Sequence, residues 1–209
     1  MTTPLFTLLV PVKGAHGAKT RLGDVGSATR ADLMGAFARD AIAAARRTSL
    51  AEVVVVGDAA ALRLVLEGID VEVVADEGAG DLNAALRGAA GRLARADRGL
   101  AVMLADLPCL RTSDLETTLS YAAAHARRTF VADAAGTGTT LLTAPAGTDL
   151  DPHFGPGSAA AHVASGAHPM SGALASLRLD VDTTEDLDRA LGLGVGPETS
   201  RIARLRDQV

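Results

Sequence analysis

Apolar runs and amphipathic segments alternate four times along this chain, and that rhythm restricts the fold more than any other feature. Residues 5–12, 52–57, 71–76 and 100–108 are short runs rich in Val and Leu, as expected of buried strands. Residues 29–47, 58–67, 81–96 and 112–127 follow them as helices. Leu33, Phe37, Ala41 and Ala44 lie near one stripe of the first helix. Asp81 is placed to cap the third, and Thr112 or Ser113 the fourth, with Glu116 in its first turn. After this the rhythm changes. Strands are predicted over 129–133, 139–145 and 176–183, with helices over 155–166 and 183–194, the last capped by Thr183 or Thr184. The pattern predicts an open, mostly parallel α/β sheet with an added β portion. With no internal repeat or linker, one domain spans 1–209, and 195–209 reads as a peripheral helix or tail. In such sheets ligands bind outside the carboxyl ends of the strands, so chemical residues are sought just after strands.

Composition removes several classes of function. Net charge is -5, which argues against a nucleic-acid binder that relies on a broad basic surface. No stretch approaches the ~18 apolar residues of a membrane span, and the N-terminus lacks the basic segment of a signal peptide. Cys109 is the single cysteine, so no internal disulfide forms, which fits a cytoplasmic protein. Cys109 reads as a small buried residue rather than a nucleophile. His153, His162 and His168 have no ligand spacing and read as structural.

Six stretches pass the position filter. "VPVKGAHGAKTRL" follows the first strand and holds Lys13 and Lys19, the only two lysines beside 18 arginines. In a composition that drifts toward arginine, two lysines in one glycine-bearing loop suggest a need for a compact ammonium. With Arg21 they supply three cations for a triphosphate; the spacing is not that of a P-loop. The plain alternative is a solvated basic loop. In "ADEGAGDLNAAL" Gly78 and Gly80 precede a helix whose N-terminus could face an anion or a base edge, and Asn83, the sole asparagine, could read a purine or ribose. An ordinary glycine turn with a helix cap explains the stretch equally well. Asp106 in "MLADLPCL" is well placed to hold Mg²⁺, or is simply an aspartate on the approach to a helix. Asp180 and Asp182 in "RLDVDTTEDL", two apart, share a strand face; metal or solvent exposure would relieve their repulsion, and with Asp106 they could complete a site. In "AAGTGTTLL" and "FGPGSAAAH", Thr139, Thr140, Gly155 and Ser158 could offer neutral donors to a small phosphate or carboxylate, or serve turn chemistry alone.

Taken in order, "PVK…AKTRL", "GAGDLNAAL", "LADLP", "GTGTTLL", "FGPGSAAAH" and "LDVDTTEDL" resemble the guanylyltransferases of deazaflavin coenzyme F-420 biosynthesis, which act on phosphoenolpyruvate or 2-phospho-L-lactate. The resemblance covers residues 8–190. It implies a Rossmann-like nucleotidyltransferase fold of the glycosyltransferase-A type, with GTP and a phosphorylated three-carbon acid as substrates. It implies that Asp106, Asp180 and Asp182 bind Mg²⁺, that Thr140, Gly155 and Ser158 hold the acid, and that Lys13, Lys19 and Arg21 meet the GTP phosphates. Two competitors stay open: a nucleotidyltransferase acting on a sugar phosphate or molybdopterin, and a non-catalytic nucleotide-binding partner. The glycine-dense opening loop of the former is missing, and the three aspartates expected to be lost in the latter are present. A homodimer also stays open.

Overall fold

The computed structural model describes residues 5–12 and 29–205. Lys13, Lys19 and Arg21 lie outside them. The elements run β1 (Phe6–Pro11), α1 (Arg30–Ala45), β2 (Ala51–Val56), α2 (Ala59–Leu62), β3 (Glu72–Val74), α3 (Leu82–Leu93), β4 (Gly99–Met103) and α4 (Thr112–Ala124). There follow β5 (Thr129–Ala132), β6 (Thr139–Ala144), α5 (Ser158–Ala164), β7 (His168–Pro169), α6 (Ala175–Arg178), α7 (Thr184–Leu193) and α8 (Pro197–Ala203).

One seven-stranded sheet has the order β3-β2-β1-β4-β6-β5-β7. The four strands of the repeated rhythm are parallel neighbours. The added portion extends the same sheet: β6 is antiparallel to both β4 and β5, and β7 returns parallel to β5. Alternation within each strand divides the core into two layers. Phe6, Leu8, Val10, Val55, Ala101 and Met103 pack on the face covered by α1 and α4. Leu9, Val54, Val56, Leu100 and Val102 pack on the face covered by α3 and α5. A strand buried on both faces has no polar side to display, which is why these runs read as continuous Val and Leu. Each such side chain contributes about 1.5–3 kcal/mol on burial.

The structure departs from the sequence reading at three notable places, two of them late in the chain and one at α4. Residues 176–183 form no strand: α6 ends at Arg178 and 179–183 are irregular. The alternation is real, since Leu177, Leu179 and Val181 are all buried, but no sheet neighbour meets it: Leu177 packs into the layer with α1 and α4, and Leu179 and Val181 pack against α7. Among the described residues after 195, α8 is a helix as the reading allowed, but it is docked on the body of the protein rather than peripheral. The buried Asp40 carboxylate accepts the Glu198 and Thr199 backbone N–H groups at 3.1 and 2.8 Å, docking α8 on α1 from outside its own helix. Neither Thr112 nor Ser113 caps α4; its N-cap is Arg111, and the Thr112 hydroxyl donates instead to the Ala44 carbonyl at the end of α1. Asp81 and Thr183 do cap α3 and α7 as expected.

Candidate active site

The strand order reverses between β1 and β4, since β2 follows β1 on one side and β4 lies on the other. That junction opens a crevice at the carboxyl edge of the sheet. Three loops leave the described carboxyl ends there, and β6 starts there because it runs backwards. The Leu104 N–H donates to the Thr140 carbonyl and prolongs the β4–β6 ladder, which delivers Asp106 to the edge. The Val181 N–H then donates to the Asp106 carbonyl at 3.0 Å. This single backbone bond brings Asp180 and Asp182 to Asp106. One carboxylate oxygen from each of the three lies within 4.8 Å of the others. The expected convergence is present, though its cause is an irregular segment bonded to the end of β4 and not a shared strand face. Carboxylates this close repel one another unless a cation, a proton or solvent intervenes, and an all-oxygen donor set suits a hard divalent ion. Cys109 is buried below this cluster, with its thiol donating to the Ala190 carbonyl; burial pushes its pKa up to about 11, so it is no nucleophile at neutral pH.

The β3–α3 loop flanks the crevice on one side. Asp76 accepts the Gly78 N–H at 2.8 Å, and Gly78 carries the Asp81 N–H on its carbonyl. A side chain at Gly78 would meet the Asp81 carbonyl oxygen at 2.3 Å and the Ala85 nitrogen at 2.5 Å, so this turn requires glycine. Ala79 takes φ 50°, a left-handed value that only a tightly held loop imposes on alanine. The Asp81 carboxylate accepts the Asn83 and Ala84 N–H groups, so the first turn of α3 is capped from within the chain. The Asn83 side chain bonds further along the chain. Its Nδ2 donates to the Phe154 carbonyl at 2.9 Å, and its Oδ1 accepts the Phe154 N–H at 2.7 Å. Both ends of the amide are engaged by the Phe154 backbone, which leaves one N–H and one lone pair beyond these bonds.

The β5–β6 loop and α5 flank the other side. Asp133 accepts the Thr137 and Gly138 N–H groups at 2.9 and 2.8 Å, and Thr137 accepts the Ala159 N–H at 3.1 Å. Gly155, with φ 133°, accepts the Ser158 N–H, and α5 begins after Gly157 with no side-chain cap. The Ser158 side chain is buried. Thr139 and Thr140 meet the expectation of free hydroxyl donors poorly: both are buried, the first bonded to His162 Nδ1 at 2.9 Å and the second to the Val131 carbonyl at 3.4 Å. As residues of an interior strand they point into the protein. Three further residues organise this edge and drew no attention in the sequence. Asp76 and Asp133 shape their loops, and the Arg178 guanidinium donates to the Ala132 and Met170 carbonyls at 2.9 and 2.7 Å. An aspartate just ahead of a glycine-bearing turn was the available signal for the first two.

His162 is structural, as expected. It is fully buried, and its Nε2 accepts the His153 N–H at 3.0 Å, which puts the ring proton on Nδ1 as a donor to Thr139. Burial first, and then the charges of His153 and Arg128, push its pKa down to about 4. The unfolded chain therefore binds more protons than the folded one between about 6.5 and 4. The His162 contribution is fully present above 6.5 and falls as pH drops through that window, by up to about 3 kcal/mol. Unfolding midpoints in urea are expected to fall faster on acidification for wild type than for His162→Gln; parallel curves would refute the role.

Comparison with known proteins agrees with this architecture. The family described as Guanylyl transferase CofC like matches residues 6–204. A phosphoenolpyruvate guanylyltransferase of Streptomyces avermitilis is 47% identical over 204 residues, covering 95% of this chain and 94% of that protein. Among solved structures, a nucleotidyl transferase from Methanothermobacter thermautotroptrophicus superposes with TM-score 0.60 at 16% identity, over 91% of this chain and 99% of its own. A Mycobacterium tuberculosis protein crystallised in complex with manganese gives TM-score 0.57 at 24% identity, over 91% of this chain and 100% of its own.

Proposed function

The chain belongs to the CofC-like guanylyl transferase family and is a nucleotidyltransferase, and from that premise we propose that it joins GMP from GTP to phosphoenolpyruvate, releasing pyrophosphate. The observation that carries the reading is the convergence of Asp106, Asp180 and Asp182 at the crevice between β1 and β4. The three carboxylates would hold Mg²⁺, and a fold neighbour crystallised with manganese supports a divalent ion. Bound there, the ion supplies charge neutralisation for the phosphates.

The chain's own residues do the rest. Lys13 and Lys19 set compact positive charge against the β- and γ-phosphates, and Arg21 grips a phosphate with its planar fork. The Gly155–Ser158 segment holds the acid so that its phosphate oxygen stands in line with the α-phosphorus, and the buried Thr139 and Thr140 support it from β6. That oxygen is already ionised, so no general base is required. The P–O bond to GMP forms as the bond to pyrophosphate breaks, and positioning with charge stabilisation supplies the acceleration. The product is an activated diester of the kind used in coenzyme F-420 assembly, and the setting is cytoplasmic.

Mass spectrometry of products decides the reading. Purified enzyme with Mg²⁺ and GTP is expected to yield a guanylylated adduct with phosphoenolpyruvate in preference to 2-phospho-L-lactate. An adduct formed only with 2-phospho-L-lactate, a sugar phosphate or molybdopterin, or no GTP consumption with any acid, would overturn it.

A further inference from the structure

We propose that Asn83 is a positioning residue for the acceptor acid, acting through the backbone of Phe154 and not through the nucleotide. Residues 150–154 form no helix or strand, so their backbone groups need partners from elsewhere. Side chains supply them. His162 accepts the His153 N–H, and Asn83 closes a two-bond ring on the next residue, donating to the Phe154 carbonyl and accepting its N–H. Arg128 holds the start of the segment, donating to the Asp151 carbonyl at 2.9 Å. The next residue after this clamp is Gly155.

The origin of the clamp gives it meaning. Asn83 sits in the first turn of α3, three residues after Gly80 and two after the Asp81 cap. Its own N–H is bound by that cap at 2.8 Å. The loop that flanks one side of the crevice is thus bonded directly to the segment that flanks the other. A shift of the β3–α3 loop moves Phe154, and with it Gly155 and the opening of α5. The asparagine amide carries a donor and an acceptor side by side, so it can bond the C=O and the N–H of one residue at once. An aspartate keeps the acceptor but sets a carboxylate against the Phe154 carbonyl. An alanine is well tolerated by the helix and removes both bonds.

The inference rests on the reading of Gly155 and Ser158 as the acceptor segment, and the experiment separates the two. Initial rates with Mg²⁺, GTP and phosphoenolpyruvate are measured for Asn83→Ala, Asn83→Asp and Gly155→Ala. Losing two hydrogen bonds to the Phe154 backbone is expected to raise the KM for phosphoenolpyruvate roughly tenfold in Asn83→Ala, with the KM for GTP within about twofold of wild type. Asn83→Asp is expected to raise the same KM and spare that for GTP. A rise confined to the KM for GTP would overturn the proposal in favour of base reading. Unchanged KM values with a lowered melting temperature would reduce Asn83 to fold stability and overturn it as well. If Gly155→Ala, strained at φ 133°, leaves the KM for the acid unchanged, the acceptor reading itself fails. If Gly155→Ala raises that KM and both Asn83 variants leave it alone, only the present inference fails.

Discussion

Asp106→Asn is expected to cut turnover roughly a thousandfold, the equivalent of about 4 kcal/mol of transition-state stabilisation, while leaving the fold intact. The fold survives because the bond that assembles the cluster comes from the Asp106 backbone carbonyl, which accepts the Val181 N–H whatever the side chain. The substitution changes one carboxylate to an amide of the same shape and leaves Asp180 and Asp182 where they are. Two measurements check it together. Steady-state kinetics reads the loss of turnover, and thermal melting across a Mg²⁺ titration reads the loss of divalent stabilisation that wild type is expected to show. Wild-type kinetics in Asp106→Asn, or unchanged activity of the wild type in excess chelator, would remove the cluster from the mechanism.

Gly78→Ala is expected to act on stability and activity at once. The added carbon would lie 2.3 Å from the Asp81 carbonyl oxygen, 2.5 Å from the Ala85 nitrogen and 2.8 Å from the Ala85 side chain. Two of these are backbone atoms of the first turns of α3 and cannot rotate away, so the helix start must move. Overpacking of this kind costs about 3 kcal/mol. Moving the start of α3 also moves Asn83 and the loop that flanks the crevice, so the loss of turnover should exceed what the unfolded fraction explains. Chemical denaturation paired with kinetics on the folded protein separates the two effects. A denaturation midpoint within error of wild type would mean that the loop relaxes at no cost.

The parallel half of the sheet was legible because its strands are buried on both faces and its helices are capped locally. Asp81 caps α3 through N–H groups two and three residues ahead, a distance over which sequence reasoning works. The remainder depended on partners far along the chain. Asp40 docks α8 across a separation of 158 residues, so nothing near 195 signals that the tail is built in. Strand β7 has two residues, too few to leave a period. The Leu177, Leu179 and Val181 alternation looks like a strand because burial, not pairing, sets that pattern. The same limit governs the site. Position after β4 picked out Asp106, and a two-residue spacing on an expected strand that does not form paired Asp180 with Asp182; the three do converge, yet neither signal could reveal that Asn83 bonds the backbone of a residue 71 positions away, or that Thr139 and Thr140 turn inward. A side chain's type was readable; the destination of its hydrogen bonds was not.

The two rims of the sheet bear on how copies of this chain could associate. Strand β3, at one end of the order, has three residues, and β7, at the other, has two. Pro169 in β7 has no N–H to give, and Glu72 at the start of β3 is exposed and charged. Unpaired ladder groups on long, flat rims are what invite a second molecule to continue a sheet, and truncation, proline and charge are the usual defences. All three are at work here. Strand-by-strand growth between copies, whether as a functional dimer or as an aggregate, has almost no template on either rim. Among the described residues, helix faces and loops offer a pair of these molecules more to meet through than either rim, leaving each sheet closed within its own chain.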